Sequence, residues 1–449
     1  CVCKVVNRAL LQQVSLLAAN KLAKLSTPII TLDHTDTLSL RSHLMHRSNA
    51  LAISFLMTLP LVLPIEKSFA EQLSFEKIVI DPNLGKVCYA VTAADVDGDN
   101  RLDVVAISER EAMWYRNPDW KKHVMISDAV TKDHVCITAG DIDKDGKVDF
   151  AMGAGWPKSG GEIFWINRGN SLQEPWTVHP IGAEAWTHRM RFADVLGTGR
   201  DQLVVTPLNG VANGGIRLLA YPIPDQPATG NWTPKIMARS LNRAHNHWHI
   251  NSTKPDQSMD TIVASQEGLS LVQRAVDGSF SVTGLSRGAA SEQPTQQGAG
   301  EVKKGTFGQQ VMLATIEPMH GNQVVVYLGK ALNSQMQRIV LDDSFAQGHA
   351  IWCADLDGDG KDEVVAAHRQ PKADGTPPGI YLYHATDVSG ERWERTQLDA
   401  PMACEDLWCD DFNGDGNVDI LAGGRATHDV NLYLNQTPRE PETSIPPRN

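Results

Sequence analysis

The sequence predicts an all-β fold: a seven-bladed β-propeller whose last blade is completed by an N-terminal strand. Three observations predict it. One short acidic pattern occurs four times, each copy running into a β-rich stretch. The copies sit on a longer period of roughly 45–60 residues, in the range of propeller blades. The last repeat lacks a closing strand, and a strand of the same pattern stands near residue 75.

The acidic patterns put oxygen side chains at positions 1, 3, 5 and 9. They are Asp95, Asp97, Asp99 and Asp103; Asp141, Asp143, Asp145 and Asp149; Asp355, Asp357, Asp359 and Glu363; and Asp411, Asn413, Asp415 and Asp419. With a main-chain carbonyl at position 7, each is a set of hard oxygen donors suited to Ca²⁺. An EF-hand would need a Glu at position 12 and a following helix. Position 12 here is Ala106, Met152, Ala366 or Ala422, and the exits read as strands. Up to four structural Ca²⁺ ions are expected, the alternative being acidic β-turns without metal.

Blade one runs from Tyr89 through Asp95 to Trp114 and Tyr115 and closes with the strand around Trp120 to Ile126. Blade two starts near His134 and closes at Trp176 to Ile181; blade three starts near His188 and closes at Trp232 to Met237. Blades four to seven begin at His245, near Glu301, at His349 and at Glu405. Blades three to five lack the acidic loop; Asp194 remains, but Leu196 and Thr198 replace later ligands. Blade seven passes from Val430–Leu434 into a Pro-rich tail, and Phe75–Ile80 carries the missing pattern. An N-terminal strand there closes the ring and removes open sheet edges.

The stretch before that strand does not belong to the fold. Residues 45–70 have a basic start, an apolar run and Ser68-Phe69-Ala70 before Glu71, the three-part pattern of a secretory leader. The run is too short and Pro-interrupted for a membrane span. Residues 1–44 read as an over-extended start, 71–437 as the propeller and 438–449 as a disordered tail. Export to the periplasm or outside, after cleavage near Ala70, is the expectation. The net charge of -12 argues against a nucleic-acid partner. Cys88, Cys136, Cys353, Cys404 and Cys409 at strand positions read as small core residues, with at most one disulfide.

In a propeller the inner-strand starts and the loops between second and third strands share one face, and the acidic loops lie on the other. Of twelve histidines after residue 70, only His123, His179 and His384 fall away from the first face. Aligned blades put Tyr89, Val135, His188, His245, Glu301, His349 and Glu405 in equivalent places around the axis, with His134 adjacent. Arg189, His247, Trp248, His249, Trp352, Asp406 and Trp408 follow in the same inner strands, and loops add Glu317, His320, His368, Arg425 and His428. Converging imidazoles and carboxylates can hold a transition metal such as Zn²⁺ or supply acid–base groups. His245, His247, His249, Glu301 and His349 are the candidate ligands. Trp248, Trp352 and Trp408, with His134 and Asp406, are candidate substrate contacts; the Trp residues serve equally as blade packing. The plainer alternative is a polar lining that solvates an open channel.

Two resemblances attach to these residues. The acidic loops before Val-Val-Ala strands resemble FG-GAP or VCBS repeats. More narrowly, Trp176–Ile181 leading to His188-Arg189 is similar to the propeller domain of fungal aldos-2-ulose dehydratases. So are Gly298-Ala299-Gly300 followed by His320-Gly321-Asn322-x-Val324-x-Val326-Tyr327, and His349-x-x-x-Cys353-Ala354-Asp355 with its loop. His249 matches more loosely, and Glu405-Asp406 has no counterpart. The resemblance implies metal-assisted dehydration of a keto-sugar. A His would remove the proton beside the carbonyl, and metal, Arg189 or a second His would stabilise the enolate. His188, Arg189, His249, His320, His349 and Glu405 are the candidate catalytic set. That family places a following isomerisation in cupin domains, and the sequence ends after blade seven, so dehydration alone is expected. The competing function is a non-catalytic, Ca²⁺-stabilised adhesion-type propeller that binds carbohydrate or protein. The expected partner is a small carbohydrate, with oligomeric state open.

Overall fold

The computed structural model describes residues 73–438, apart from 158–160, 211–213 and 253–256. The leader expected at 45–70, the stretch before it, and the tail beyond Pro438 lie outside the described residues. The rest forms seven four-stranded antiparallel sheets in chain order around one axis. Their inner strands are Ala90–Ala94, Cys136–Gly140, Thr187–Ala193, Ala244–Ile250, Glu301–Phe307, Gly348–Ala354 and Cys404–Asp410. Each packs against the inner strand of both neighbouring blades, so the ring is closed. Among the described residues no helix is long and apolar enough to cross a membrane.

The second strand of each blade is wedged between two sheets and is buried on both faces, as in Asp103–Ile107 and Glu363–His368. Their composition follows: runs of Val, Ala and Ile without alternation, as strands covered on both sides require. The outer strands, such as Lys121–Ser127, are largely exposed. Core clusters lie between adjacent blades. Between blades one and two, Trp114, Phe150 and Trp176 are buried together, with the Phe150 and Trp176 rings 5.7 Å apart. Truncating a side chain such as Trp176 to Ala costs about 3–5 kcal/mol. All five described cysteines are free.

Phe75–Asp81 pairs antiparallel with Val430–Asn435, Phe75 opposite Asn435 and Asp81 opposite Val430. The last blade is thereby completed from the other end of the chain. Asp81, at the end of this strand, accepts hydrogen bonds from Tyr115 Oη (2.6 Å) and Lys122 Nζ (3.0 Å) of blade one. The closing strand thus ties blade seven to blade one as well as finishing its own sheet.

The position-9 acid of each loop has a structural task that its spacing did not reveal. Asp103 accepts the N–H groups of Val96 (2.9 Å) and Asn117 (2.8 Å), and Asp419 those of Phe412 (2.9 Å) and Asn435 (2.8 Å). Glu363 accepts Leu356 N–H at 2.9 Å. Burial pushes the Asp103 carboxyl up to about 7. In blade three Gln202 makes the same bond to Leu196 N–H (2.8 Å). An amide keeps the turn where the charge has been lost.

Candidate functional site

A repeated backbone device builds the ring at the inner-strand starts. In blade three the pairing steps from Thr187 to Arg189 while the partner strand advances one residue. Blades four, six and seven step likewise from Ala244 to Asn246, Gly348 to Ala350 and Cys404 to Asp406. The residues passed over are His188, His245, His349 and Glu405. A β-bulge frees one residue from the ladder and re-aims its side chain. All four line one cavity at the axis.

Blade five has no such bulge, and its place on the ring belongs to Gly300 rather than to Glu301. His245 Nδ1–H donates to Gly300 O (3.0 Å) as His349 Nδ1–H donates to Glu405 O (2.6 Å), which fixes the equivalence. Glu301 stands one residue further along, level with Arg189, Asn246 and Asp406. A Cβ on Gly300 would lie 3.2 Å from His320 N and 3.3 Å from Met319 Cα. The absent side chain therefore lets the loop after Gln310–Glu317 settle over the axis and deliver His320. His320 adopts a left-handed backbone, φ 52°, an uncommon state for a residue with a Cβ.

His245, His320 and His349 form one group, each offering a ring nitrogen within 4.8 Å of the others. The Nε2 atoms of His245 and His320 are 2.7 Å apart. Because backbone carbonyls take the Nδ1 hydrogens of His245 and His349, the Nε2 atoms of both carry lone pairs. That second bond is how ligand imidazoles are held in one tautomer and orientation. His188 meets His245 edge-on, ring centres 4.5 Å apart, and lies tilted over Trp156 at 4.6 Å. Both of its buried nitrogens lack a hydrogen-bond partner among the described residues. Burial holds all four imidazoles well below their usual range, so they are neutral at pH 7. Neutral imidazole is the form that binds metal or accepts a proton.

Loops between second and third strands make the walls of this cavity of about 120 Å³. Arg369 Nη1 donates to both Glu405 carboxylate oxygens (3.0 and 2.8 Å), and Arg425 Nη1 donates to Oε1 (2.8 Å). Arg425 lies over the Tyr89 ring at 5.6 Å. Arg189 donates Nη1–H to His188 O (3.2 Å), with Nη2 3.9 Å from Glu301 Oε1. Sequence reasoning missed Arg369. Its one available signal was its position directly after the second strand of blade six, as Arg425 follows that of blade seven.

Several expected site residues lie elsewhere. His247 and His249 follow the bulge, where regular alternation carries them off the ring. Their Nδ1 atoms share hydrogen bonds with Thr206 Oγ1 (2.7 Å) and Thr261 Oγ1 (3.0 Å). Neither joins the three-histidine group, and burial holds His249 at about 3. Glu301 also stays outside that group; it accepts a hydrogen bond from Asn246, and its Oε1 is 2.8 Å from His245 Nδ1. His134 is buried against Phe164, outside the cavity. The Asp406 carboxylate accepts Val91 N–H (3.2 Å), and burial raises its pKa. Trp248, Trp352 and Trp408 sit three residues beyond the ring, about 10 Å at 3.3 Å per residue. They form a belt, Trp248 to Trp352 at 5.4 Å and Trp352 to Trp408 at 5.1 Å. Lys303 Nζ is 4.4 Å from the Trp248 ring centre and 4.6 Å from that of Trp352.

On the far face, Asp95, Asp97 and Asp99 form a group that can hold a metal ion, as do Asp141, Asp143 and Asp149, and Asp355, Asp357 and Asp359. Blade six adds His384, whose Nδ1 is 3.0 Å from Glu363 Oε1 and 3.7 Å from Asp357 Oδ2. Among the described residues no such group converges in blade seven, where the Asn413 amide donates to Asp415 Oδ2 (3.0 Å).

Comparison with known proteins adds ancestry to this geometry. Residues 160–330 match the family described as "Aldos-2-ulose dehydratase, beta-propeller domain", and residues 95–152 match an FG-GAP-like repeat. The chain is a relative of the aldos-2-ulose dehydratase propeller. It is 24% identical over 274 residues to the aldos-2-ulose dehydratase of Phanerodontia chrysosporium, a match covering 54% of this chain and 30% of that protein. The matched propeller segment contains His188, Arg189, His245, Gly300 and His320; His349, Arg369, Glu405 and Arg425 fall after it. Two solved structures of BBS1N in complex with ARL6DN share the fold. The one soaked with mercury has a TM-score of 0.52 at 11% identity, and the one soaked with lead 0.50 at 14%. Each covers 82% of this chain and 98% of that one. At such identities the likeness concerns architecture only.

Proposed function

We propose that this propeller is an exported carbohydrate lyase of the dehydratase type, acting on a small keto- or anhydro-sugar. The observation that carries the reading is the convergence of His245, His320 and His349 beside His188, a neutral imidazole with neither nitrogen bonded. A divalent transition metal such as Zn²⁺, held by the three histidines, would polarise the sugar carbonyl and stabilise enolate charge. In this reading His188 would take the proton from the carbon beside that carbonyl. The electron pair would form the new C=C bond, and the β-hydroxyl would leave as water with the proton that His188 has taken. Arg189 adds positive charge on the same side. Glu405, bonded to two guanidiniums, orients Arg369 and Arg425 in this scheme. The cavity volume suits a small molecule rather than a polysaccharide chain.

The acidic loops belong to the same reading as structural Ca²⁺ sites, fitted to hard oxygen donors. Export follows from the leader-like pattern at 45–70. The test is a screen of keto- and anhydro-sugars for conjugated-enone absorbance with the metal-loaded protein. Turnover should fall by ~10²–10⁴-fold in His188→Ala, with folding unchanged. No enone from any sugar, with sugar binding retained, would replace the lyase reading by a non-catalytic carbohydrate-binding propeller.

A further inference from the structure

The cavity is lined by more guanidiniums than carboxylates. Arg369 and Arg425 share one carboxylate, that of Glu405. Arg189, the third guanidinium lining the cavity, is matched from beneath by Glu301. Three guanidiniums thus line the cavity with one lining carboxylate, in a chain whose formal net charge is -12.

The surplus has a direction. The Arg425 side chain makes a single described hydrogen bond, through Nη1, and is 36% exposed. Its plane is steadied over the Tyr89 ring, and its remaining N–H groups have no described partner. Arg369 uses Nη1 on Glu405 and Nη2 on Gln347 (3.2 Å), so it is the anchored member of the pair. His349 Nε2 lies 3.6 Å from Glu405 Oε1. The open edge of Arg425 is thus separated from the histidine group by a single carboxylate. A fixed guanidinium edge presents parallel N–H donors that match a planar carboxylate better than a hydroxyl.

We propose that the ligand of this cavity is an acidic sugar, a uronate whose carboxylate is recognised by Arg425 while its ring lies against the histidines. The proposal rests on the reading of the cavity as a carbohydrate site and names the substrate class. Arg425 acts as a specificity residue, and Arg369 positions it through Glu405.

Titration calorimetry of the full, metal-loaded protein with galacturonate, glucuronate, galactose and galactose 6-sulfate tests it. Uronates should bind most tightly. Arg425→Gln, at a partly exposed site, should weaken uronate binding about 10- to 100-fold, the loss of a charge-assisted contact, and leave galactose unchanged. Arg425→Lys should restore only part, because a point charge lacks the planar fork. Equal binding of uronate and galactose, preference for the sulfate, or uronate binding indifferent to Arg425→Gln overturns the proposal. Turnover of a neutral keto-sugar by a protein that binds no uronate would sink it while sparing the lyase reading. Arg425-dependent uronate binding without turnover of any sugar would do the reverse.

Discussion

His349 donates its Nδ1 hydrogen to the main-chain oxygen of Glu405, while the Glu405 side chain belongs to Arg369 and Arg425. One residue thereby serves two parts of the site through different groups, and substitution separates them. Glu405→Gln should strip the paired charge from Arg369, whose side chain is 14% exposed. Breaking a buried pair from one side costs about 3–5 kcal/mol, to be read from denaturant unfolding. The backbone carbonyl survives, so zinc stoichiometry by equilibrium dialysis should stay as in wild type. Loss of metal together with stability would show that the carboxylate itself holds the imidazole.

Gly300→Ala tests how His320 reaches the axis. The added methyl meets the loop backbone at 3.2–3.3 Å, a contact that only movement of the loop relieves. Zinc affinity should fall by about 10-fold or more, the scale of a lost orienting contact, with the melting curve little changed. Unaltered affinity would mean that His320 is not a ligand.

Lys303 supplies a pH signature. Burial lowers its ammonium from the usual 10.5 to about 7, so the folded state disfavours the charged form. Below pH 7 both states are protonated and the full cost is present; above pH 10.5 both are neutral and it is gone. Between them the unfolded chain binds more protons, so wild-type stability should rise with pH relative to Lys303→Met. The slope is up to about 1.4 kcal/mol per pH unit. At pH 6 the Met variant should be equal or more stable, since the aromatic rings and the Glu301 and Asp406 carboxylates offset only part of the cost of the buried charge. A pH-independent difference between the two proteins contradicts this account.

Chelation should lower the melting temperature if the acidic loops bind Ca²⁺ in the folded state. Each site contributes about 2.7 kcal/mol at a hundredfold excess over its dissociation constant. Asp97→Ala should remove part of that effect. Asn413→Ala should remove less, because a neutral amide stands at position 3 of the blade-seven loop. An identical melting curve with and without chelator would exclude the ion.

Most of the architecture was legible because it is written in repetition. Four loops with one spacing gave the period, and the displaced strand at Phe75 gave closure, both being consequences of local pattern. The site was legible only as a face. Nothing in a sequence marks a β-bulge, so His247 and His249 looked as well placed as His245, and Glu301 took the position that belongs to Gly300. Glycine was overlooked because its contribution is the space it leaves. Arg369 was invisible for another reason: an isolated Arg in a loop is usually solvated, and only its Glu405 partner across the blade boundary distinguishes it.

The bulges also bear on how such a molecule changes over generations. A side chain held in a regular ladder must satisfy the neighbouring sheets, so exchanging it disturbs the fold. At His188, His245, His349 and Glu405 the ladder closes around the residue without enlisting it. Each blade can then substitute its contribution to the centre independently, and a ring of this construction can acquire new chemistry one position at a time while its walls stay as they are.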